Sequence, residues 1–219
     1  EEKVRAFEGV DEAIVAGSVR RRKETIGDID ILAVSETPKR VMEQFLELPA
    51  VVHVYASGET KTLVRLANGL DADLRVVPLK SFGAALLYFT GSQSFNVKLR
   101  QLAIKKEMKV NEYGVFRDKT KRRVAGKEEE DVYRALGLTW IPPELREDGG
   151  EVEAAKKGRL PRLVERKDLK GALHNHSNWS DGAHPIEEVA KNLKAQGYRY
   201  MLLSDHSKSL RVAHGLGEA

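Results

Sequence analysis

Cysteine is absent from the 219 residues, which excludes disulfides and Cys-ligated zinc and makes a reducing or indifferent compartment the default. Long apolar runs are missing too. None approaches the roughly 20 residues of a membrane span, and no signal peptide is visible. Repeats and low-complexity segments are likewise lacking. What is present is 41% hydrophobic residues, enough for one or two compact cores and too many for disorder. Charged residues make up 32%, with a formal net charge of +4. That balance suits a polyanionic partner without requiring one. The chain starts with Glu1 rather than Met and stops in mid-pattern at Ala219, so it reads as a piece of a longer protein.

Short apolar runs at 13–16, 28–34, 51–55, 62–66 and 74–77 predict strands, with Asn68-Gly69 marking a hairpin between the last two. Val41, Phe45 and Leu48 recur at helical spacing between the second and third runs. A mixed sheet with a covering helix follows. From Ser81 to Glu107 the pattern is mainly helical, and 111–124 reads as a small hairpin with a basic tip. A short helix over 128–136 precedes a charged, glycine-containing stretch at 144–166 that reads as a linker or arm. From Gly171 the order strand, loop, helix (185–196), strand (200–203) is one βαβ step. The expected class is α+β, closed by an α/β segment.

Three constellations carry chemistry. In the first, Gly17-Ser18 follows a strand and precedes Arg20-Arg21, and Gly27-Asp28-Ile29-Asp30 opens the next strand. Carboxylates at i and i+2 share one face of a strand and are hard oxygen donors suited to Mg²⁺, two of which can clamp a phosphoryl transfer. Gly17 admits a phosphate close to the backbone, Ser18 offers a hydroxyl and an N–H, and Arg21 can neutralise a triphosphate. An Asp-x-Asp pair is usually turn or surface chemistry; the order of the whole set raises it above that reading. A later strand supplies a third acid, Asp71 or Asp73, and both share a face.

In the second, Tyr88-Phe89-Thr90-Gly91-Ser92 is followed by Phe95-Asn96 and Arg100. Alone, it reads as a capped turn beside core aromatics. The run Arg117, Lys119, Lys121, Arg122, Arg123 is either a phosphate-binding surface or a solvated hairpin tip. In the third, His174-Asn175-His176, Ser180-Asp181-Gly182 and Ser204-Asp205-His206 lie at the ends of two consecutive strands. Imidazoles with a carboxylate suit Zn²⁺ or Mn²⁺. His53 and His214 have no motif behind them and read as structural or solvated.

Gly17-Ser18-x-Arg20-Arg21 with Gly27-Asp28-x-Asp30 resembles the palm of family X DNA polymerases, within the nucleotidyltransferase superfamily. Asp73-Leu74-Arg75-Val76-Val77 is similar to the family's third-acid context and selects Asp73 over Asp71. The Tyr88–Arg100 cluster resembles the family's thumb, as do Asn111-Glu112-Tyr113, Tyr133 and 142–146. The resemblance implies Asp28, Asp30 and Asp73 as catalytic acids holding Mg²⁺ or Mn²⁺, with Asp73 helping to activate the primer 3′-hydroxyl. It implies Gly17, Ser18, Arg21, Gly27, Tyr88, Phe89, Gly91 and Asn96 around the dNTP, and Arg75, Arg100, Glu112 and Tyr113 along the DNA. It also implies a cis peptide at Gly91-Ser92. The third constellation resembles the start of a PHP phosphoesterase domain, which implies His174, His176, Asp181 and His206 as ligands for Mn²⁺ or Zn²⁺, with Asp205 in support.

The implied layout is palm 1–79, thumb 80–146, linker 147–170 and an incomplete PHP barrel-like segment at 171–219. The implied protein is a cytoplasmic monomer that fills short gaps in DNA on primer-template DNA, away from membranes. The family's further PHP ligands lie on later strands, so no nuclease activity is expected of this piece alone. An untemplated nucleotidyltransferase is the alternative enzyme, and Tyr88 to Arg100 count against it. A DNA-end binding module with a vestigial site is the non-enzymatic alternative, and the intact Asp28, Asp30 and Asp73 count against that.

Overall fold

The computed structural model describes residues 1–217. They form two compact units, one over 1–160 and the other from Pro161 onward.

The first unit begins with α1 (Glu2–Arg5), β1 (Glu12–Val15), α2 (Gly17–Arg20), β2 (Asp28–Val34), α3 (Pro38–Leu46), β3 (Val51–Ser57), β4 (Lys61–Leu66) and β5 (Asp71–Val77). The strands make one sheet in the order β1-β2-β5-β4-β3. The β2–β5 pair is parallel and the others are antiparallel, so the expected mixed sheet is present. The Gly-Ser turn is a single helical turn, α2, and the hairpin after β4 delivers β5 three residues earlier than its apolar run suggested.

Period-2 alternation gives this sheet two unlike faces. Ile31, Ala33, Ala72, Leu74 and Val64 point to one side and are covered by Val41, Met42 and Phe45 of α3 and by Val4 of α1. On the other side each central strand changes character along its length. β2 runs Asp28, Asp30, Leu32 and β5 runs Asp71, Asp73, Arg75, Val77. The apolar ends, Leu32 and Val77, lie under Ala85 and Leu86 of the next helix, α4 (Phe82–Thr90). The acidic starts are left uncovered at its edge.

After α4 come α5 (Gln93–Lys105), β6 (Met108–Asn111), β7 (Gly114–Arg117), β8 (Arg123–Ala125), α6 (Glu129–Ala135) and α7 (Glu151–Lys156). β6, β7 and β8 form a three-stranded sheet where a hairpin was expected, because Met108 and Val110 add a strand whose apolar side is buried. Ser92 caps α5, its Oγ accepting from Phe95 N at 3.3 Å. The peptide bond between Gly91 and Ser92 is cis. Within the stretch read as a linker, α7 buries Val152 and Ala155 against Leu99, Ala103, Tyr133 and Ile141.

The second unit pairs β9 (Gly171–Asn175) in parallel with β10 (Tyr200–Leu203), joined through α8 (Ile186–Ala195). This is the predicted βαβ step. Among the described residues no helix is long and apolar enough to cross a membrane.

Candidate active site

Parallel pairing aligns Asp28 with Asp71 and Asp30 with Asp73. Aligned residues on neighbouring strands share a face, so four carboxylates stand together on the open half of the sheet. They are not equivalent. Asp71 Oδ1 lies 2.7 Å from Arg65 Nε on β4. Arg65 also donates to Tyr55 Oη at 2.8 Å and to Gly69 O at 2.6 Å, so it is fixed in place. Asp73 is 13% exposed, and its Oδ1, like that of Asp71, is buried with no hydrogen bond. Burial, with the charges of Asp28 and Asp73 beside it, pushes the Asp30 carboxyl up to about 6. Asp28 is exposed. Crowded carboxylates, one reluctant to ionise and two with a buried oxygen that accepts no hydrogen bond, are what a divalent cation would relieve. The residues therefore fit the metal that the resemblance implies.

α2 faces this cluster. Ala16 N donates to Asp30 O at 2.8 Å and joins the turn to β2. Gly17 follows with φ +58°, and a Cβ there would collide with the Asp30 carboxylate. Only glycine fits both the conformation and the space. Ser18 is half-buried beside it, and Gly27 is exposed just before β2.

Arg21 is drawn across α2 toward the C-terminal end of α4. Its Nε donates to Glu147 Oε1 at 2.8 Å and its Nη1 to Thr90 O, beside Gly91. Phe89 lies under the Arg75 guanidinium, 4.3 Å from the ring centroid, and Tyr88 meets Phe89 edge to face. Asn96 donates to Tyr88 O at 2.7 Å and keeps a buried, unpartnered Oδ1. Arg75 links Phe89 to Asp73, its Nη2 lying 3.4 Å from Asp73 Oδ2. Arg100 is exposed on α5, Glu112 is half-buried and Tyr113 is 56% exposed at the β6–β7 turn. In the basic hairpin, Lys119 pairs with Glu107 at 2.9 Å and Lys121 with Asp118 at 2.8 Å.

One element escaped the sequence reading. Glu129 at the start of α6 is buried and accepts from Arg20 Nη1 at 2.8 Å, Arg146 Nη1 at 2.6 Å and Trp140 Nε1 at 2.7 Å. Arg20 Nη1 also donates to Thr90 Oγ1 at 2.7 Å. Arg146 is fully buried and lies over the rings of Phe95, Tyr133 and Trp140. Arg20 and Arg146 lie in segments that carry the resemblance and Glu129 in a predicted helix, but residue type alone does not reveal that they are buried together.

In the second unit, His176, Asp181 and His206 bring ligand atoms within 4.8 Å of one another. His176 Nδ1 is 3.0 Å from Asp181 Oδ1, and His206 Nε2 is 3.5 Å from Asp181 Oδ2. His176 Nδ1 is buried and lacks a well-formed hydrogen bond, an orphan that fits a metal ligand. Among the described residues this is the one such group of three, and Asp28, Asp30 and Asp73 are less tightly gathered. His174 stands outside it, exposed at φ +63° with its ring 5.0 Å from that of His176. Asp205 does not join the group. It accepts from Ser177 N at 2.7 Å and from the hydroxyls of Ser177 and Ser180 at 2.6 Å each. Those bonds hold its pKa low and pin the loop that carries Asp181.

A family model described as DNA polymerase beta thumb matches residues 85–147. The chain is 42% identical over 203 residues to the DNA polymerase/3′-5′ exonuclease PolX of Bacillus subtilis, covering 92% of this chain and 35% of that protein. It is 27% identical over 139 residues to a repair DNA polymerase X of African swine fever virus, covering 61% of this chain and 80% of the viral one. It is 29% identical over 162 residues to DNA polymerase lambda of Rattus norvegicus, covering 61% and 28%. The chain thus spans about a third of the length of the Bacillus relative. The thumb match and the long alignment with PolX fall on the segments that build the acid cluster and its flanking helices, and the chain belongs to the family X DNA polymerases.

Proposed function

We propose that this chain is the nucleotidyl-transferring core of a template-directed repair polymerase that adds a dNMP to a primer 3′-hydroxyl in short DNA gaps. The observation that carries this reading is the alignment of Asp30 with Asp73, beside Asp28, on the open half of the sheet next to the Gly17 turn. Asp28 and Asp30 would hold Mg²⁺ or Mn²⁺ between them, and Asp73 would share an ion with Asp30. Bound there, the ions would neutralise the reacting phosphates and lower the pKa of the primer hydroxyl. The 3′-oxygen bonds to the α-phosphorus of the dNTP, the bond to the bridging oxygen breaks, and pyrophosphate leaves. Asp73, with an oxygen that accepts no hydrogen bond, would help take up the hydroxyl proton. Ser18 and the α2 backbone bind the triphosphate. Arg21 joins them by exchanging Glu147 for phosphate. Tyr88 and Phe89 flank the sugar, Gly27 and Gly91 leave room for the nucleotide, and Asn96 turns its free Oδ1 toward the base edge. Arg75, Arg100, Glu112 and Tyr113 line the DNA.

The layout consistent with this reading is palm 1–79, thumb 80–146, a connecting stretch 147–170 whose helix α7 packs into the core of the first unit, and a PHP barrel-like segment from 171. In that segment His176, Asp181 and His206, with His174 nearby, would hold Mn²⁺ or Zn²⁺. The exonuclease in the name of the Bacillus relative supports a hydrolytic role for that part of the whole protein. The fold of β9, α8 and β10 supports the PHP assignment. A monomer bound to gapped DNA is the expected working form.

Primer extension on gapped DNA with Mg²⁺ or Mn²⁺, comparing the native chain with Asp30→Ala, tests the polymerase reading. Template-matched incorporation that disappears in the variant supports it. Equal activity in both, or incorporation indifferent to the template, overturns it.

A further inference from the structure

Lys61 opens β4 directly after the turn in which Gly58 N donates to Lys61 O at 2.8 Å. Register sets it opposite Arg75, on the face of the acids. Its Nζ lies 3.3 Å from Asp73 Oδ2, and Arg75 Nη2 lies 3.4 Å from the same oxygen. Two cations therefore share one oxygen of a nearly buried carboxylate, while the other oxygen is buried and unpartnered. The two cations are held differently. Arg75 is committed a second time, over the Phe89 ring. Lys61 is 47% exposed, and Asp73 is its one ion-pair partner among the described residues. An ammonium on a flexible stem is a mobile point charge, unlike a stacked guanidinium.

We propose that Lys61 is a removable counter-ion for Asp73: it orients the third carboxylate while no cation is bound and withdraws when a divalent ion takes Asp73. The proposal rests on the polymerase reading above. Lys61 and an ion at either oxygen of Asp73 would stand within a few ångströms of each other and repel, so the lysine weakens binding at that position. Asp28 has no lysine contact among the described residues, so the Asp28–Asp30 position fills first and the Asp73 position last. Lys61 is thus a positioning residue that sets the order of assembly of the site.

The test is Mn²⁺ binding to the full chain without DNA or nucleotide, read from the free-ion signal in electron paramagnetic resonance. All proteins carry His176→Ala and His206→Ala, which silence the second cluster. Lys61→Gln is expected to tighten the weaker palm binding step by roughly threefold to tenfold and leave the stronger step unchanged. Lys61→Arg keeps the charge and should behave like native. The gain should vanish when Asp73→Asn is added. An unchanged isotherm in Lys61→Gln, weaker binding, or the same gain in the Asp73→Asn background overturns the proposal. Failure of the underlying reading looks different. The palm would then bind no Mn²⁺ that Asp30→Asn removes, and that result overturns the proposal as well.

Discussion

Arg20 and Glu129, 109 residues apart in sequence, meet through two hydrogen bonds of 2.8 and 3.0 Å. Arg20 ends the helical turn that begins with Gly17, and Glu129 begins α6. Arg146 and Trp140 occupy the remaining lone pairs of the same carboxylate. The turn beside the acids is thereby tied to the helical half of the first unit by one buried ion network. A buried charge survives only with such partners.

Replacing Glu129 by Gln leaves the fully buried Arg146 without a counter-charge. The expected loss is about 3 kcal/mol of unfolding free energy at pH 7, measured by urea denaturation. Burial disfavours the Glu129 carboxylate, but its bonds from Arg20 and Arg146 outweigh that and hold its pKa at about 2. The folded value lies below the ordinary one. Its stabilisation is therefore complete above pH 4.5 and is lost as pH falls toward 2. The gap between native and variant should close over that window. A variant within about 0.5 kcal/mol of native at pH 7 would contradict this account.

Asp30 has the opposite sign. Its pKa is raised to about 6, so ionising it opposes folding when no cation is present. The penalty is absent below pH 3.8, grows between 3.8 and 6, and is complete above 6. In a chelator, Asp30→Asn should stabilise the protein by about 1 kcal/mol at pH 8, a figure reduced for partial exposure to solvent. Differential scanning calorimetry should show the gain fading toward pH 4. Millimolar Mg²⁺ should stabilise the native protein and not the variant. A variant less stable than native at pH 8 in chelator would refute the assignment.

Gly17 cannot be enlarged without cost. Its φ of +58° and the nearness of Asp30 make Gly17→Ala strained twice. The conformation alone costs about 1–2 kcal/mol. Displacement of the Asp30 carboxylate should reduce kcat for dNMP incorporation about 100-fold, since small misplacements of reacting groups are that costly. Single-turnover extension by a variant with native circular dichroism measures it. Native kcat would show that the turn does not position the acid.

Asp205 acts on the second cluster through Ser177 and Ser180. The pair Ser177→Ala and Ser180→Ala should weaken Zn²⁺ binding at His176, Asp181 and His206 about 10–100-fold, the usual cost of losing groups that orient ligands. Titration calorimetry in an Asp30→Asn background isolates this site. Unchanged affinity would mean that the loop holds its shape without the serines.

Much of this was legible in the chain. Apolar runs placed β2 and the second half of β5, the i, i+2 spacing put Asp28 with Asp30 on one face, and Gly17 after a strand marked the close approach. The βαβ step was equally plain, because its apolar runs and the helix between them are local patterns. Each of these depends on neighbours within a few residues, and periodicity reports them directly.

Other features required the fold. Period 2 puts Asp71 and Asp73 on one face and cannot rank them; the family resemblance selects Asp73, and only the fold shows that Arg65 holds Asp71 while Asp73 stands beside Asp30. Nothing in the spacing of Glu129, Arg146 and Arg20 announces that they share a buried site. The strand at 108–111 and the helix at 151–156 were missed because each is short and takes its stability from packing on a core built elsewhere. His174 and His176 alternate as the sequence predicts, yet Asp181 and His206 close only on His176, because the backbone turns to φ +63° at His174. The sequence determined which chemical groups are present and which face of each element they occupy. Which of them meet was decided by strand register and by where burial removes water, and both are properties of contacts between segments far apart in the chain.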